Sequence, residues 1–196
     1  MSGPQVGAWL RRLEKTITAQ GSPFSTAAAP PIDTGRLDQA QEQVGAVFPD
    51  ELRQWWLWHD GAVPVRGRSS VELIGVGGYW PLSLDRALAE REYWLGNRIP
   101  EAAWWPDTWL PLAKVDQVKW LNADLELSTP DHLVLTVADL YPGGPFGHRV
   151  TLTFAEVIEQ WIAYLDARYA WWDADGDCWR YVLPCPPGFE RTLVIP

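Results

Sequence analysis

The amino-acid sequence predicts an α+β domain with a mostly antiparallel central sheet flanked by helices. Helical patterns fill the first third of the chain, strand patterns are concentrated further on, and one strongly amphipathic helix follows the strands. Segregated helices and strands are typical of α+β folds, whereas a parallel sheet needs strands that alternate with helices. The 196 residues suffice for one hydrophobic core and are too few for two comfortable domains.

The N-terminal segment predicts a helix followed by a linker. Apolar side chains recur at helical spacing over residues 5–20, at Val6, Trp9, Leu13 and Ile17. Residues 21–31 are rich in glycine, serine, proline and alanine, which is typical of a linker. We therefore expect the first helix to be loosely attached.

Two further helices follow before the strands. Asp33 or Thr34 can cap the first of them, which we expect to end near Gly45. Pro49 suits the first turn of the next helix, and Gly61 is positioned to stop it.

Short apolar or alternating runs then predict strands around a single helix. Residues 71–82 indicate two short strands about the Gly77–Gly78 pair, and Ser83 caps a helix that runs to about Leu95. The remaining strand candidates are residues 109–113, 118–125, 132–140 and 148–153.

The last predicted helix carries the clearest amphipathic pattern in the chain. Thr153 and Glu156 have the spacing of a capping box, in which each side chain bonds the other residue's backbone. One side of the helix is apolar, at Phe154, Val157, Ile158, Trp161, Ile162 and Leu165. Residues 169–196 form a tail rich in aromatic residues and proline.

The excess of acidic residues disfavours some classes of binding partner and favours basic ones. Lys and Arg number 16 against 25 Asp and Glu, a formal net charge of −9. An acidic surface repels nucleic-acid phosphates and anionic membranes, and it speeds encounter with a basic partner. No apolar run is long enough to span a membrane, and the N-terminus does not read as a signal peptide. We expect a cytoplasmic protein that binds neither nucleic acid nor membrane.

Tryptophan is unusually frequent, at 14 residues. So many large indoles cannot all be fully buried in a domain of this size, and exposed tryptophan is enriched at interfaces. In the helix that carries Trp55, Trp56 and Trp58, helical geometry places Leu52, Trp55, Trp56 and His59 on the core face. Trp58 falls off that face, so it either packs under another element or contacts a partner.

The inventory of chemically reactive groups is poor. Among three histidines, His59 at a helix end is interpreted as a packed, hydrogen-bonded ring rather than a catalytic base. The glycine-rich stretches lack the lysine of a phosphate loop and predict hairpin turns. Residues 173–177 carry acids at positions 1, 3 and 5 of a calcium loop, but Cys178 and Pro184 stand where glycine and glutamate are needed. Two cysteines make neither a disulfide scaffold nor a zinc site. We expect no catalytic residue, metal or cofactor.

Several short motifs, in order, resemble the SUKH superfamily, which includes the fungal cell-wall-assembly regulator and many bacterial immunity proteins. The resembling segments are 48–52 (FPDEL), 59–61 (HDG), 109–113 (WLPLA), Asp124 and 153–157 (TFAEV). Together they cover about residues 33–168. The sequence departs from the family at residues 114–118, where a glycine-rich turn is usual and no glycine occurs.

The resemblance implies a SUKH-like fold and a non-enzymatic protein-binding role. We divide the chain into an N-terminal helix and linker (1–31), a SUKH-like domain (32–168) and a C-terminal extension (169–196). The favoured hypothesis is a bacterial immunity protein that neutralises a basic toxin domain by tight binding, in which the acidic surface steers the toxin and exposed tryptophans anchor it. The candidate partner-binding residues are Trp58, Asp60, Trp104, Trp105, Trp171, Trp172, Asp173, Asp175 and Asp177.

Three alternatives remain open on sequence grounds. A regulatory or scaffold module of the cell-wall-regulator type would bind several endogenous partners weakly. A small-molecule enzyme would need a pocket lined by tryptophan and would depend on His59 or Asp60. An exposed tryptophan patch could also pair with itself in a symmetric homodimer.

Overall fold

The secondary structure confirms the α+β class. The computed structural model describes residues 3–62, 79–97, 105–115, 119–139, 150–176 and 178–182. Its helices are α1 (Gly3–Ala19), α2 (Phe24–Ala27), α3 (Thr34–Val44), α4 (Asp50–Trp58), α5 (Leu84–Gly96) and α6 (Phe154–Asp166). Its strands are β1 (Trp80–Pro81), β2 (Trp109–Val115), β3 (Lys119–Asp124), β4 (Val134–Asp139), β5 (Val150–Thr153), β6 (Ala170–Asp173) and β7 (Cys178–Tyr181).

The central sheet is an antiparallel meander in the order β1-β2-β3-β4-β5. The four strands predicted after residue 108 are confirmed, each within a few residues of its expected bounds. Of the two strands expected in residues 71–82, the described part contains Trp80–Pro81, and residues 71–78 lie outside the described residues. A register shift between Pro111 and Ala113 interrupts the β2–β3 ladder.

Three helix starts are capped as the sequence predicts. Asp33 Oδ1 accepts from Arg36 N at 3.0 Å at the start of α3, and Ser83 Oγ accepts from Arg86 N at 3.2 Å at the start of α5. At α6 the full capping box is present, because Thr153 Oγ1 accepts from Glu156 N while Glu156 Oε2 accepts from Thr153 N. Each cap satisfies a backbone amide that the helix itself leaves unpaired.

Helix α1 is part of the core, so the expectation of a loose N-terminal helix is wrong. It packs on α6 and on α4, and its buried side chains are Val6, Leu10, Leu13 and Ile17. The connection to α3 is also fixed, because Ala29 N donates to Gly61 O and Ile32 N donates to Trp56 O. Apolar burial at four helical positions stabilises this helix far more than linker composition can loosen it.

Helix α4 buries three of the four residues that the sequence places on its core face, and the fourth, His59, follows the helix and is half-buried. Leu52, Trp55 and Trp56 are at most 3% exposed. The helix ends at Trp58, before the predicted stop. Gly61 has a φ of 73°, and a Cβ there would collide with the backbone of Leu82 and Ser83. Glycine is therefore required where the chain leaves α4 and passes close to the start of α5.

The sheet has two differently covered faces. Leu121 and Ala123 of β3 belong to the main core, where α1, α4 and α6 also bury their side chains. Trp120, which precedes Leu121, points to the opposite face and belongs to a second cluster. That cluster consists of Trp105, Trp109, Trp120 and Ala138, with Trp94 and Leu95 of α5 packed against it.

Candidate functional site

The C-terminal hairpin carries the most accessible tryptophan in the described part of the chain. Strands β6 and β7 are antiparallel, with Trp172 opposite Trp179. Those two rings are 8% and 7% exposed and join the main core, in an edge-to-face contact of 5.8 Å. Trp171 points to the other face and is 39% exposed. Trp172 was expected to be a partner contact, but alternation along the strand turns it inward, which corrects that expectation.

The acidic turn of the hairpin is ordered by Asp173. Its Oδ1 accepts from Asp175 N at 3.2 Å and from Gly176 N at 3.1 Å, and its Oδ2 accepts from Arg180 Nε at 3.0 Å. The Gly176 amide first, and then the Arg180 guanidinium, hold the pKa of Asp173 below its usual value. The carboxylate is therefore ionised at neutral pH and fixes the turn beside Trp171.

The outward face of the hairpin combines aromatic, cationic and aliphatic groups. Trp171 is the cross-strand neighbour of Arg180, and both are exposed. The ladder continues through a hydrogen bond from Val182 N to Tyr169 O at 2.9 Å. Val182 is 38% exposed, so a second apolar side chain is accessible near Trp171. Tryptophan and arginine are the residues that most often dominate binding energy at protein interfaces.

Trp58 packs under the N-terminal helix. Its ring stacks on Phe24 at 5.4 Å and 22°, and its Nε1 donates to Glu14 Oε2 at 2.9 Å. The residue is half-buried and packs against the main core. The structural alternative for Trp58 therefore accounts for its position, and its proposed role as a partner anchor is corrected.

His59 and Asp60 lie in the same region and have structural partners. A carbonyl only accepts, so His59 Nδ1 donates to Ala29 O at 3.0 Å, and its Nε2 lies 3.6 Å from Glu14 Oε1. Asp60 Oδ1 accepts from Leu84 N at 2.7 Å and so links the end of α4 to the start of α5. Burial raises the pKa of Asp60, and the Leu84 amide partly opposes that shift. Asp60 therefore has a structural role, and its contact with a partner stays a prediction.

Trp105 lies inside the molecule. It is 1% exposed and makes ring contacts of 5.5–5.8 Å with Trp94, Trp109 and Trp120. The expectation that Trp105 is a surface anchor is therefore wrong. Its burial depends on helix α5 covering the second face of the sheet, which the sequence pattern of residues 98–108 does not show. Trp104 and Asp177 lie outside the described residues.

Asp124 organises the polar end of that second face. Its Oδ2 accepts from Trp109 Nε1 at 3.0 Å, and its Oδ1 accepts from Leu127 N at 3.3 Å. The acidic residue that resembles the family pattern is thus a buried acceptor that closes β3 and begins the turn after it. Such a fully used carboxylate stabilises the fold and is not available to a ligand.

Glu51 is a buried acid that the sequence pattern does not reveal, and it is 0% exposed. Its Oε2 accepts from Leu133 N at 2.5 Å, and no described group donates to its Oε1. Burial raises the pKa of Glu51, and the Leu133 amide partly opposes that shift. An acidic residue in the first turn of a helix normally indicates only a favourable dipole interaction, so the pattern gave no signal of burial.

The described residues offer surfaces for contact rather than a cluster of metal ligands. No group of three or more His, Cys, Asp or Glu side chains among them could hold a metal ion. No helix in the described part of the chain is long and apolar enough to cross a membrane. Of the nine candidate partner-binding residues, Trp171, Asp173 and Asp175 are brought together, in the β6–β7 hairpin.

Comparison with known proteins identifies the domain. No curated protein matches the chain. The model of the SMI1/KNR4 family (SUKH-1) matches residues 31–160, which is more than half of the chain. That segment contains α3 to α5, all five strands of the central sheet and the first half of α6. Helix α1 and the β6–β7 hairpin lie outside it. The chain therefore belongs to the SMI1/KNR4 family (SUKH-1).

Proposed function

We propose that this protein is a non-enzymatic protein-binding domain of the immunity type, which acts in the bacterial cytoplasm. It neutralises a basic toxin domain by tight, non-covalent binding. Family membership supports a SUKH-domain protein, and the net charge of −9 favours a basic partner. The observation that carries the proposal is the exposed indole of Trp171 on an ordered hairpin.

The hairpin is suited to binding because its anchor is already in place. Trp172 and Trp179 fix the inner face to the core, and Asp173 fixes the turn, so Trp171 loses little further freedom when a partner covers it. The acidic turn adds a negative field that guides a basic surface toward the indole. Binding by such a surface blocks a toxin by covering it and requires no catalytic group.

A regulatory or scaffold module is the second candidate. The matched family model bears the joint name SMI1/KNR4 and SUKH-1, and the resemblance to cell-wall-assembly regulators supports this role. Such a module would bind several endogenous proteins with dissociation constants in roughly the micromolar range, whereas an immunity protein would bind one partner at about nanomolar strength or tighter.

The test is affinity capture from the native host with three matched variants. Trp171→Asp removes the proposed anchor, Tyr93→Asp makes the same change at an aromatic residue of α5 that is 58% exposed, and Trp58→Asp changes a packed indole. Captures at low and high salt are compared by mass spectrometry, and circular dichroism establishes which variants fold.

The expected result is one dominant basic protein that Trp171→Asp loses and Tyr93→Asp retains. Co-production of the chain should then protect cells from that protein. Several weakly bound proteins would support the regulatory module. A folded Trp171→Asp variant that captures the same proteins as wild type would remove the hairpin from the proposal, and concentration-dependent dimerisation lost in Trp171→Asp would assign the indole to self-association.

A further inference from the structure

A cleft of about 440 Å³ lies against helix α5. Among the described residues it is lined by Arg86, Ala89, Glu90 and Tyr93. Their spacing along the chain places them in one stripe on the helix surface. The volume falls within the range of roughly 300–1,000 Å³ that is typical of sites for small molecules. We call this site the α5 cleft.

Glu90 is the most buried residue of this lining, and it holds two cations with one oxygen. It is 8% exposed. Its Oε1 accepts from Lys114 Nζ at 2.7 Å, and from Arg86 Nε and Nη2 at 3.1 and 2.9 Å. Lys114 comes from β2 and is buried as well. These three side chains therefore form one ion-pair network beside the cleft, which we call the Glu90 group.

The Glu90 group carries more positive than negative charge, because two cations share a single carboxylate. The other acids of α5 are engaged elsewhere, Asp85 with Arg36 and Glu92 with Arg91. A buried charge without a full counterpart is unfavourable in a weakly polarisable interior. An anion in the cleft would offset this excess, which is unusual in a chain with a formal net charge of −9.

Arg86 has one edge of its guanidinium free to bind such an anion. The edge formed by Nε and one Nη2 N–H faces Glu90. The remaining edge, formed by Nη1 and the second Nη2 N–H, makes no hydrogen bond to any described group, and the side chain is 60% exposed. A guanidinium edge binds a carboxylate through two parallel hydrogen bonds. The free edge of Arg86 is therefore a site for a carboxylate.

Tyr93 supplies an aromatic surface at the other end of the stripe. It is 58% exposed, and its ring meets the Trp94 ring edge-on at 4.9 Å. Tyr93 follows Arg86 by seven positions, which is about 10 Å along a helix. Ala89 lies between them and presents only a methyl group, so a ligand has room to reach from one to the other. An aromatic ring that stacks on Tyr93 would bury apolar area of both partners.

We propose that the α5 cleft binds a small organic anion in which a carboxylate is joined to an aromatic ring by a short linker. The carboxylate pairs with the free edge of Arg86 and is favoured by the excess positive charge of the Glu90 group. The ring stacks on Tyr93. The site lies within the segment that the family model matches, and it shares no residue with the β6–β7 hairpin.

The first test is a 15N NMR titration of the full chain with phenylbutanoate. Phenylbutanamide keeps the ring and lacks the charge, whereas butanoate keeps the charge and lacks the ring. Phenylbutanoate should shift the resonances of α5 most, and each control should bind at least about tenfold more weakly. Equal affinity for the amide, or shifts confined to residues outside α5, would overturn the proposal.

The second test changes the cleft. Arg86→Met should weaken phenylbutanoate binding by at least about tenfold, because it removes the carboxylate partner. Arg12→Met makes the same change at an arginine that is also exposed and also paired with an acid. It should alter binding by less than about twofold, since exposed charges at a distance are screened.

A third variant tests the cleft without changing its charge. Ala89→Leu fills the space between Arg86 and Tyr93 at an exposed helix position, where leucine is well tolerated, and should abolish binding. Circular dichroism establishes that each variant folds. A folded Ala89→Leu variant that binds phenylbutanoate as wild type does would overturn the proposal.

The outcome is separate from that of the proposed function. Trp171→Asp should leave phenylbutanoate binding unchanged, since the hairpin takes no part in the cleft. Capture of a host protein that depends on Trp171, together with no phenylbutanoate binding, would overturn this inference and leave the proposed function in place.

Discussion

The indole nitrogen of Trp58 donates a hydrogen bond to Glu14 Oε2 across the interface between α4 and α1, at 2.9 Å. The same carboxylate faces His59 Nε2 at 3.6 Å through its other oxygen. A tryptophan that helical geometry places off the core face is thus covered by a helix that lies outside the segment matched by the family model. The third tryptophan of the WWLW run serves packing between two helices.

Replacement of Trp58 should therefore destabilise the fold. We expect Trp58→Asp to lower the free energy of unfolding by about 3 kcal/mol, because it removes a stacked ring and places a second carboxylate beside Glu14. Trp171→Asp, on the exposed hairpin face, should change the same quantity by less than about 1 kcal/mol. Urea unfolding followed by fluorescence measures both, and equal losses would contradict the assignment of Trp58 to the core.

Helix α1 should contribute to global stability. Leu10 is 1% exposed, and Leu10→Ala should cost about 2–4 kcal/mol because it leaves a cavity between α1 and the helices beneath it. Ala8→Ser, at an exposed position of the same helix, provides the control and should cost under about 0.5 kcal/mol. If Leu10→Ala leaves the urea midpoint unchanged, α1 does not pack in solution as described.

Glu51 should make the protein less stable as the pH rises. Its pKa in the folded state is raised from the ordinary value of 4.5, so the folded state holds the proton more tightly than the unfolded state does. This contribution is fully present below pH 4.5 and is lost as the pH rises through the folded-state pKa. Glu51→Gln lacks the titration and should gain stability relative to wild type across that interval.

The measurement is the difference in unfolding free energy between wild type and Glu51→Gln, taken from urea curves at several pH values. The comparison cancels the titration of other acids, including Asp173, whose pKa is lowered and whose effect on stability runs in the opposite direction. Glu126→Gln, at an exposed acid, is the control and should show a flat difference. A flat difference for Glu51→Gln as well would show that its carboxyl is hydrated.

Loss of Glu90 should lower the stability of the fold more than loss of Lys114, its partner in a buried ion pair. Glu90 Oε1 accepts from Lys114 Nζ at 2.7 Å and from Arg86 Nη2 at 2.9 Å, and the Lys114 side chain is 8% exposed. Glu90→Gln leaves a buried ammonium without its carboxylate and should cost about 3–5 kcal/mol. Lys114→Met leaves Glu90 paired with Arg86 and should cost about 1 kcal/mol. Thermal unfolding measures both, and a larger loss for Lys114→Met would refute this account.

Short sequence patterns predicted the helices and strands better than they predicted which other elements pack against them. The caps at Asp33, Ser83 and Thr153 depend on side chains next to the amides they bind, so they can be read from short sequence patterns. Burial of Trp105 and Glu51 depends on elements distant in the sequence, namely α5 and the β3–β4 connection. No periodicity within their own segments reports those partners.

The hairpin shows the same limit at the candidate site. Trp171 and Trp172 are adjacent in a segment rich in proline and aromatic residues, and its composition does not predict which of the two side chains is buried. Once β6 pairs with β7, the two-residue alternation of a strand sends one indole to the core and the other to solvent. The sequence located the candidate surface, and the strand pairing decided which ring belongs to it.

The part of the chain before the matched segment contacts the part that follows residue 160. Gln20 Nε2 donates to Leu165 O at 3.4 Å, Arg12 lies 3.5 Å from Asp166, and a Cβ on Gly21 would lie 3.9 Å from the Trp172 ring. A chain trimmed to the matched segment would therefore expose the apolar side chains of α4 and α6 that α1 covers. Removing either flanking part alone would also expose the surface of the other flanking part that it contacts. The N-terminal helix and the C-terminal hairpin should therefore contribute to stability jointly, so that the effects of removing each are not additive.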